Sequence, residues 1–462
     1  MCEILPPDHT PRLHGQLVNT PVTEPNVPSR LAIVADEHPV QDMLDFIDGS
    51  PSPYHVVETV ADRLDGVGFV ELAEADEWPA GPGSWMVRRS GSIIAWRTGG
   101  GTPTGGFRLI GAHTDSPNLR IKPQPDTAAA GYRQVGVEVY GGVLLNSWLD
   151  RELGVSGRLT VRDSAATDGT GVHSVLVRID EPILRLPQLA IHLDRDVSDK
   201  GLVLNRQWHM SPTFGVGDLS PGLFASTVAA AGDVDPADVL SWDIMCHDLN
   251  PSAVVGLASD LIAAPRLDNQ MSCWAGIEAL AAVEPPSDVV TMVGLFDHEE
   301  VGSKSSAGAA SSMLPTVIER IVTAGGGNRD DYFRSLARTV SLSADGAHAT
   351  HPNYVDRHEP NHHIALNGGP VVKINANQKY ATTADSHGAF ILACEAADVP
   401  YQRFVSRTDL RCGSTIGPAT SSLLGVSTAD VGIPQLAMHS ARETAGAFDP
   451  PMFVAALKAF LG

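Results

Sequence analysis

Two hydrophobic periods alternate along the chain. Val40, Met43, Leu44, Phe46 and Ile47 recur at helical spacing. After a Ser50-Pro-Ser-Pro-Tyr-His55 turn, Val56, Val57, Val60, Ala61 and Leu64 repeat it and predict a second helix. Ser92–Arg97 and Phe107–Ala112 read as strands, and from about 119 to 257 the texture turns β-rich. Short pieces are expected there at Val135–Tyr140, Gly157–Val161, Ser174–Val177 and Leu189–Leu193, with helical segments near 220–240. The α/β alternation then resumes. Helices are expected at Asp268–Val283, Ser311–Val322, Gly388–Ala396, Thr415–Gly425 and Met452–Leu461. Thr339–Ala344, Tyr401–Val405 and Gln435–Met438 read as strands, and Val289–Phe296 is so uniformly apolar that both its faces should be buried. The outline is an α/β domain split by a β-rich insertion: 31–118 and 258–462 around 119–257, preceded by a mobile extension at 1–30.

Charge narrows the functions open to such a chain. The 462 residues carry 32 Lys+Arg against 54 Asp+Glu, a formal net charge of −22. That argues against nucleic acid, whose binding needs clustered cations, and against docking on anionic lipid. No apolar run is long enough to span a bilayer, and the N-terminus lacks the basic and apolar regions of a signal peptide. Cys2, Cys246, Cys273, Cys394 and Cys412 are scattered, which suits reduced thiols and a cytoplasmic location.

The chemistry gathers where strands end. His113 and Asp115 follow Leu109-Ile-Gly-Ala, and Asp297-His-Glu299-Glu300 follows Val293-Gly-Leu-Phe. Asp345 and His348 follow Ser341-Leu-Ser-Ala, and His439 follows Leu436-Ala-Met. Each has a plain alternative as a turn residue, a solvated acid or a helix cap. Four together, in an α/β sheet whose ligands collect at strand carboxyl ends, favour a dinuclear metal site. Imidazole and carboxylate without thiolate suit zinc or manganese. A bridging carboxylate is needed. Asp150 and Asp268 both stand in Leu-Asp contexts, and Asp268 is preferred because one helix and one strand separate it from Glu299.

With these residues in place the chain resembles the aspartyl aminopeptidases. The matching stretches include Gly111-Ala-His-Thr-Asp-Ser-Pro117, Trp148-Leu-Asp-Arg-Glu152, Ala190-Ile-His-Leu193 and Arg266-Leu-Asp-Asn269. They continue through Asp297-His-Glu-Glu-Val-Gly-Ser303, Asp345-Gly-Ala-His-Ala-Thr-His-Pro-Asn-Tyr354 and Gly369-Pro-Val-Val-Lys-Ile-Asn375. Arg411-Cys-Gly-Ser-Thr-Ile-Gly-Pro418 and Met438-His-Ser-Ala-Arg-Glu443 complete the set.

The resemblance implies an α/β fold: a three-layer metallopeptidase domain with a mixed sheet, interrupted by a β-rich dimerisation or lid domain. It implies two divalent ions per chain, zinc first with manganese or cobalt as alternatives. His113 and Asp345 would hold one ion, Glu300 and His439 the other, and Asp268 would bridge. Glu299 would be the general base on the metal-activated water, with Asp115 buttressing His113. His348, Lys373 and Tyr380 correspond to substrate contacts, Lys373 being the cation for an acidic first side chain. Gly413, Ser414 and Thr415 would line the substrate pocket, or serve only as a helix cap. His192 would reach a neighbouring subunit's site within a homododecamer built from dimers. The function implied is removal of N-terminal Asp or Glu from peptides. The rivals are the same chemistry on neutral, Leu-type residues, and a metal-stabilised scaffold without catalysis.

Overall fold

The computed structural model describes residues 38–462 apart from 167, 168, 219 and 285, so the extension expected at 1–30 lies outside the described residues. The chain forms a nine-stranded mixed sheet, a closed six-stranded barrel and a smaller five-stranded sheet. In the large sheet, strands Val289–Phe296, Gly106–His113 and Val340–Ala344 are adjacent and parallel. Phe296 pairs with His113 and Ser343 with Gly111, so the three carboxyl ends finish nearly level. Every residue of Val289–Phe296 is buried, as its apolar run requires.

Helices cover both faces of this sheet. One layer contains Gln41–Gly49, Pro53–Asp65, Leu267–Ala281, Ala384–Ala396 and Asp449–Leu461, whose Leu44, Val57, Ile277, Phe390 and Phe453 share a core with the sheet. The opposite layer is Met313–Ala324, Arg329–Ala337 and Ile416–Leu424, packed through Ile318, Leu336 and Ile416. This is the three-layer α/β arrangement. Pro53 opens its helix at the position where a missing N–H is harmless, so the last residues of the expected turn are helical. The helix Arg329–Ala337 was not expected. Its sequence is too polar to show a period, yet Asn328 and Asp331 form a capping box that starts it.

The barrel strands are Asn118–Ala129, Tyr132–Tyr140, Glu152–Arg162, Val172–Arg185, Thr213–Val216 and Val239–Asp248. Their inward side chains, among them Leu119, Val155, Leu159 and Ile244, pack with Phe224 of the helix Leu223–Ala231. Pro123 and Pro125 fall where the register shifts between Ile121 and Asp126, a bulge that needs no ladder donor.

Two expected strands are corrected. Leu189–Leu193 forms no strand, and residues 191–193 make a turn. Leu189, Ile191 and Leu193 alternate in sequence, but all three are exposed and no neighbouring strand pairs with them. Near His439 the strand is only Pro434–Leu436 and belongs to the five-stranded sheet. Ala437 (φ 56°) and His439 (φ 68°) turn the chain before the imidazole is reached.

Candidate metal centre

Because the three parallel strands end together, His113, the Asp297–Glu300 loop and Asp345 emerge side by side. His439 enters from the second sheet, and Asp268 from the start of the helix Leu267–Ala281. The structure brings all five expected ligands together. His113 Nε2 lies 3.3 Å from Asp268 Oδ1 and 4.0 Å from Asp345 Oδ1. His439 Nε2 lies 3.4 Å from Asp268 Oδ2 and 3.3 Å from Glu300 Oε1. Asp268 thus turns one carboxylate oxygen to each imidazole. Asp150, the other bridging candidate, is exposed and accepts hydrogen bonds from Gln188 instead.

Both imidazoles are oriented by their far nitrogens. His113 Nδ1 donates to the backbone carbonyl of Asp115 over 3.0 Å, and His439 Nδ1 to that of Gly142 over 3.1 Å. That tautomer leaves each Nε2 lone pair facing the carboxylates. In the neutral imidazole these nitrogens offer lone pairs to a cation, and Asp268 Oδ1 and Glu300 Oε1 beside them are buried with no hydrogen bond. Two ligand atoms about 2.1 Å from one ion at a tetrahedral angle would stand ~3.4 Å apart. The observed 3.3–3.4 Å separations fit that spacing. Ligand atoms of His113, Asp268 and Glu300 all lie within 4.8 Å of one another. The donor set fits a divalent cation.

Without a cation the charge is crowded. Burial, with Asp345 and Glu300 nearby, pushes Glu299 up to about 9, and burial with the Asp268 charge pushes Glu300 up to about 7. Burial opposes the charged imidazole of His439, but Asp268 and Glu300 outweigh it and raise its pKa to about 11. His113 is raised well above its ordinary value in the same way, burial being overcome by Asp115 and Asp268.

Asp115 does more than buttress His113. Its Oδ1 accepts the Glu299 N–H (3.0 Å), and its Oδ2 accepts the Glu300 N–H (3.1 Å) and the Tyr140 hydroxyl (2.7 Å). The contact to His113 Nδ1 runs through the Asp115 carbonyl, and the carboxylate stands further off at 3.4 Å. Tyr140 closes a barrel strand and is followed by Gly141 and Gly142. A Cβ on Gly141 would sit 3.1 Å from Glu300 Cβ, and one on Gly142 would sit 2.9 Å from His439 Nδ1. Glycine lets the chain pass that close.

The expected substrate contacts are unequal. Lys373 is 2% exposed; its Nζ donates to the Gly346 carbonyl (3.1 Å), lies 3.8 Å from Asp345 Oδ2 and stands 5.1 Å over the Tyr380 ring. Tyr380 is buried against Phe404. His348 is exposed, with its ring edge on Phe404. Gly413 and Ser414 are exposed, whereas Thr415 is buried. Thr415 occupies the cap position of Ile416–Leu424, but its hydroxyl binds Asp430 Oδ1 and caps nothing. His192 is exposed in the barrel's 191–193 turn. Tyr140, Asp430 and Glu443 had no assigned role from sequence. Asp430 is fully buried and pairs across strands with Lys373. The Glu443 motif was the one available signal for that residue.

Comparison with known proteins gives this arrangement a class. Residues 46–461 match the family described as aminopeptidase I zinc metalloprotease (M18). A probable M18 family aminopeptidase 2 of Mycobacterium leprae is 53% identical over 420 residues, covering 91% of this chain and 97% of its own. The Streptomyces coelicolor relative of the same name is 46% identical over 444 residues, 94% and 99% of the two chains. Among solved structures, Chaetomium thermophilum mApe1 superposes with a TM-score of 0.80 at 31% identity, covering 91% of this chain and 96% of that one. The S. cerevisiae mApe1 dodecamer gives 0.78 at 28%, covering 91% and 95%. The chain belongs to the M18 aminopeptidase family. It is a metal-dependent aminopeptidase, a hydrolase of peptide bonds, which sets aside the non-catalytic scaffold.

Proposed function

We propose that the chain binds two divalent ions and removes acidic residues from peptide N-termini. The observation that carries the reading is the Asp268 carboxylate, with one oxygen toward His113 and the other toward His439. His113 and Asp345 would hold one ion, Glu300 and His439 the second, with Asp268 between them. The ions are zinc in this reading, with manganese or cobalt as alternatives. When bound they supply Lewis acidity to the scissile carbonyl and to the attacking water. Glu299 takes the water's proton and passes it to the leaving amine. Asp115 holds the Glu299 and Glu300 backbone in place for that transfer.

Preference for Asp or Glu rests on Lys373, with Tyr380 and His348 beside it and the Gly413–Thr415 turn along the pocket. The second reading, cleavage after neutral residues, is favoured by the company Lys373 keeps: Asp345 at 3.8 Å and Asp430 across the strand pair offset its charge. Residues 31–118 and 258–462 act as the catalytic domain and 119–257 as the dimerising insertion. Copies assemble into a homododecamer in which His192 reaches a neighbour's site. The dodecamer of the yeast relative supports this, as do Leu193, Val203 and Trp208, each more than 70% exposed on the insertion. The enzyme works in the cytoplasm, which suits the unpaired thiols of Cys246, Cys273, Cys394 and Cys412. Among the described residues no helix is long and apolar enough to cross a membrane.

The test is zinc-, manganese- or cobalt-loaded enzyme on a panel of Asp-, Glu- and Leu-anilides with an Nα-acetylated control. Asp and Glu should be cleaved fastest and the blocked substrate not at all. Faster cleavage of Leu would favour the second reading.

A further inference from the structure

Glu443 is a buried acid, 1% exposed, with no role in the scheme above. Its two carboxylate oxygens are divided between the proposed bridging residue, Asp268, and His439, a proposed ligand of the second ion. Oε2 accepts the backbone N–H of Asp268 over 2.9 Å, and Oε1 accepts that of His439 over 2.6 Å. Among the described residues no Lys, Arg or His side chain forms an ion pair with it.

These two N–H groups need a partner from outside their own segments. Arg266, two residues before Asp268, and His439 both have positive φ, 54° and 68°. Backbone in that region leaves the regular ladder, and its donors must be met by side chains or water. At His439 the other contacts are already taken: the carbonyl by the Leu144 N–H, and Nδ1 by the Gly142 carbonyl. At Asp268 the carbonyl accepts the Ser116 hydroxyl over 2.6 Å. The N–H is the remaining backbone handle on each residue, and one carboxylate holds both.

Glu443 is well placed to do so. It opens the strand Glu443–Gly446 and pairs with Ala264, the last residue of the strand that leads into Asp268. The clamp is therefore tied to rigid backbone at the point where the bridging ligand departs and four residues after the turn that delivers His439. It also adds a carboxylate beside Asp268, which a buried chain tolerates best where dications lie close by.

We infer that Glu443 is a positioning residue of the metal centre: it sets the separation of Asp268 and His439 and so the affinity for the ion they share. This rests on the dinuclear reading above. Glu443→Gln keeps the shape but replaces one acceptor by an NH2 group, which faces a backbone N–H donor to donor. One half of the clamp is lost, and the acid beside Asp268 is replaced by a neutral amide.

The experiment compares parent and Glu443→Gln by zinc titration in chelator buffers and by melting with and without zinc. The expected result is that the second of two ions binds roughly 10–100-fold more weakly. The donor-to-donor contact should lower the zinc-free melting temperature, and the rise on adding zinc should shrink. A merely structural residue would lower the zinc-free melting temperature and leave zinc affinity alone; parent-like zinc affinity overturns the inference. If Glu443→Gln does not fold, Glu443→Asp replaces it. It keeps the charge but is one methylene too short to reach both N–H groups, and parent-like zinc binding there overturns the inference equally. A parent that binds fewer than two ions of zinc, manganese or cobalt refutes the dinuclear reading itself. Two ions bound equally well by parent and variant refute only the role of Glu443.

Discussion

The hydroxyl of Tyr140, at the last residue of a barrel strand, donates to the carboxylate of Asp115 over 2.7 Å. The barrel therefore reaches the proposed metal centre through a hydrogen bond to the group that holds the Glu299 and Glu300 backbone, while the segment after it holds His439 through Gly142 and Leu144. Tyr140→Phe removes a hydrogen bond to a charged acceptor, about 1.5–3 kcal/mol in other proteins. kcat should fall by roughly tenfold or more with zinc content unchanged. Asp115→Asn should fall further, because an amide nitrogen then meets a backbone N–H. Steady-state rates at matched zinc occupancy decide this, and equal rates in all three proteins would remove Asp115 from the catalytic arrangement.

Glu299→Gln should keep both ions, since Glu299 is not among the ligands, and lose turnover by roughly 10²–10⁴-fold. Metal analysis beside kcat reads both halves. Unchanged kcat would refute the general-base role.

Chelation should make stability depend on pH. In the metal-free protein burial raises Glu299 to about 9 and Glu300 to about 7, and His439 is raised to about 11 against the opposing effect of burial. All three folded values lie above their unfolded ones. Each group's contribution is present below its unfolded pKa and is lost as pH climbs through the folded value. The apoprotein melting temperature should therefore fall as pH rises from the ordinary carboxylate range, Glu300's share being lost by about pH 7, Glu299's by about 9 and His439's by about 11. Zinc supplies the charge that the protons supplied, so the loaded protein should change much less. Parallel melting curves for the two forms would contradict this.

Gly432 ends the strand Ser427–Gly432, and a Cβ there would lie 1.7 Å from the Asp345 carbonyl oxygen. Since that neighbour is backbone, it can yield only by moving Asp345, a proposed ligand. Gly432→Ala should destabilise the protein by about 1–3 kcal/mol and weaken zinc binding together. A stability loss with native zinc affinity would show that Asp345 can shift without cost to the centre.

Lys373→Ala separates the two specificities. If its ammonium receives an acidic side chain, the ratio of kcat/KM for Asp-anilide over Leu-anilide should fall by roughly tenfold or more, as for a lost charge-assisted contact. If Asp345 and Asp430 already neutralise it, the ratio will hold.

Three of the five proposed ligands were visible as a group because His113, Glu300 and Asp345 follow apolar strands, and Val289–Phe296 announces a buried centre strand outright; Asp268 opens a helix and His439 follows a turn. His113, Glu300 and Asp345 needed only the rule that parallel strands end together. What decides their surroundings was not legible. Lys373 and Asp430 meet because two strands pair antiparallel across a long stretch of sequence, and nothing local to either marks the match. Glu443 acts through backbone donors, which leave no trace in side-chain pattern. The strand Val239–Asp248 has no sequence signature because its burial changes along its length, partly exposed at first and fully buried at the end, so no single period describes it. Leu189–Leu193 erred the other way: an alternation on the surface imitates a strand.

The six-stranded barrel has a last consequence. Its closure is uneven: Val172–Arg185 is paired along its length with Glu152–Arg162 but meets Thr213–Val216 only at Arg185 and Thr213, so among the described residues most of one edge of that long strand has no strand partner. Such an edge can take a strand from another chain. Partner choice can also be written in Leu193, Val203 and Trp208, which lie outside the barrel strands and can vary without disturbing a strand pairing.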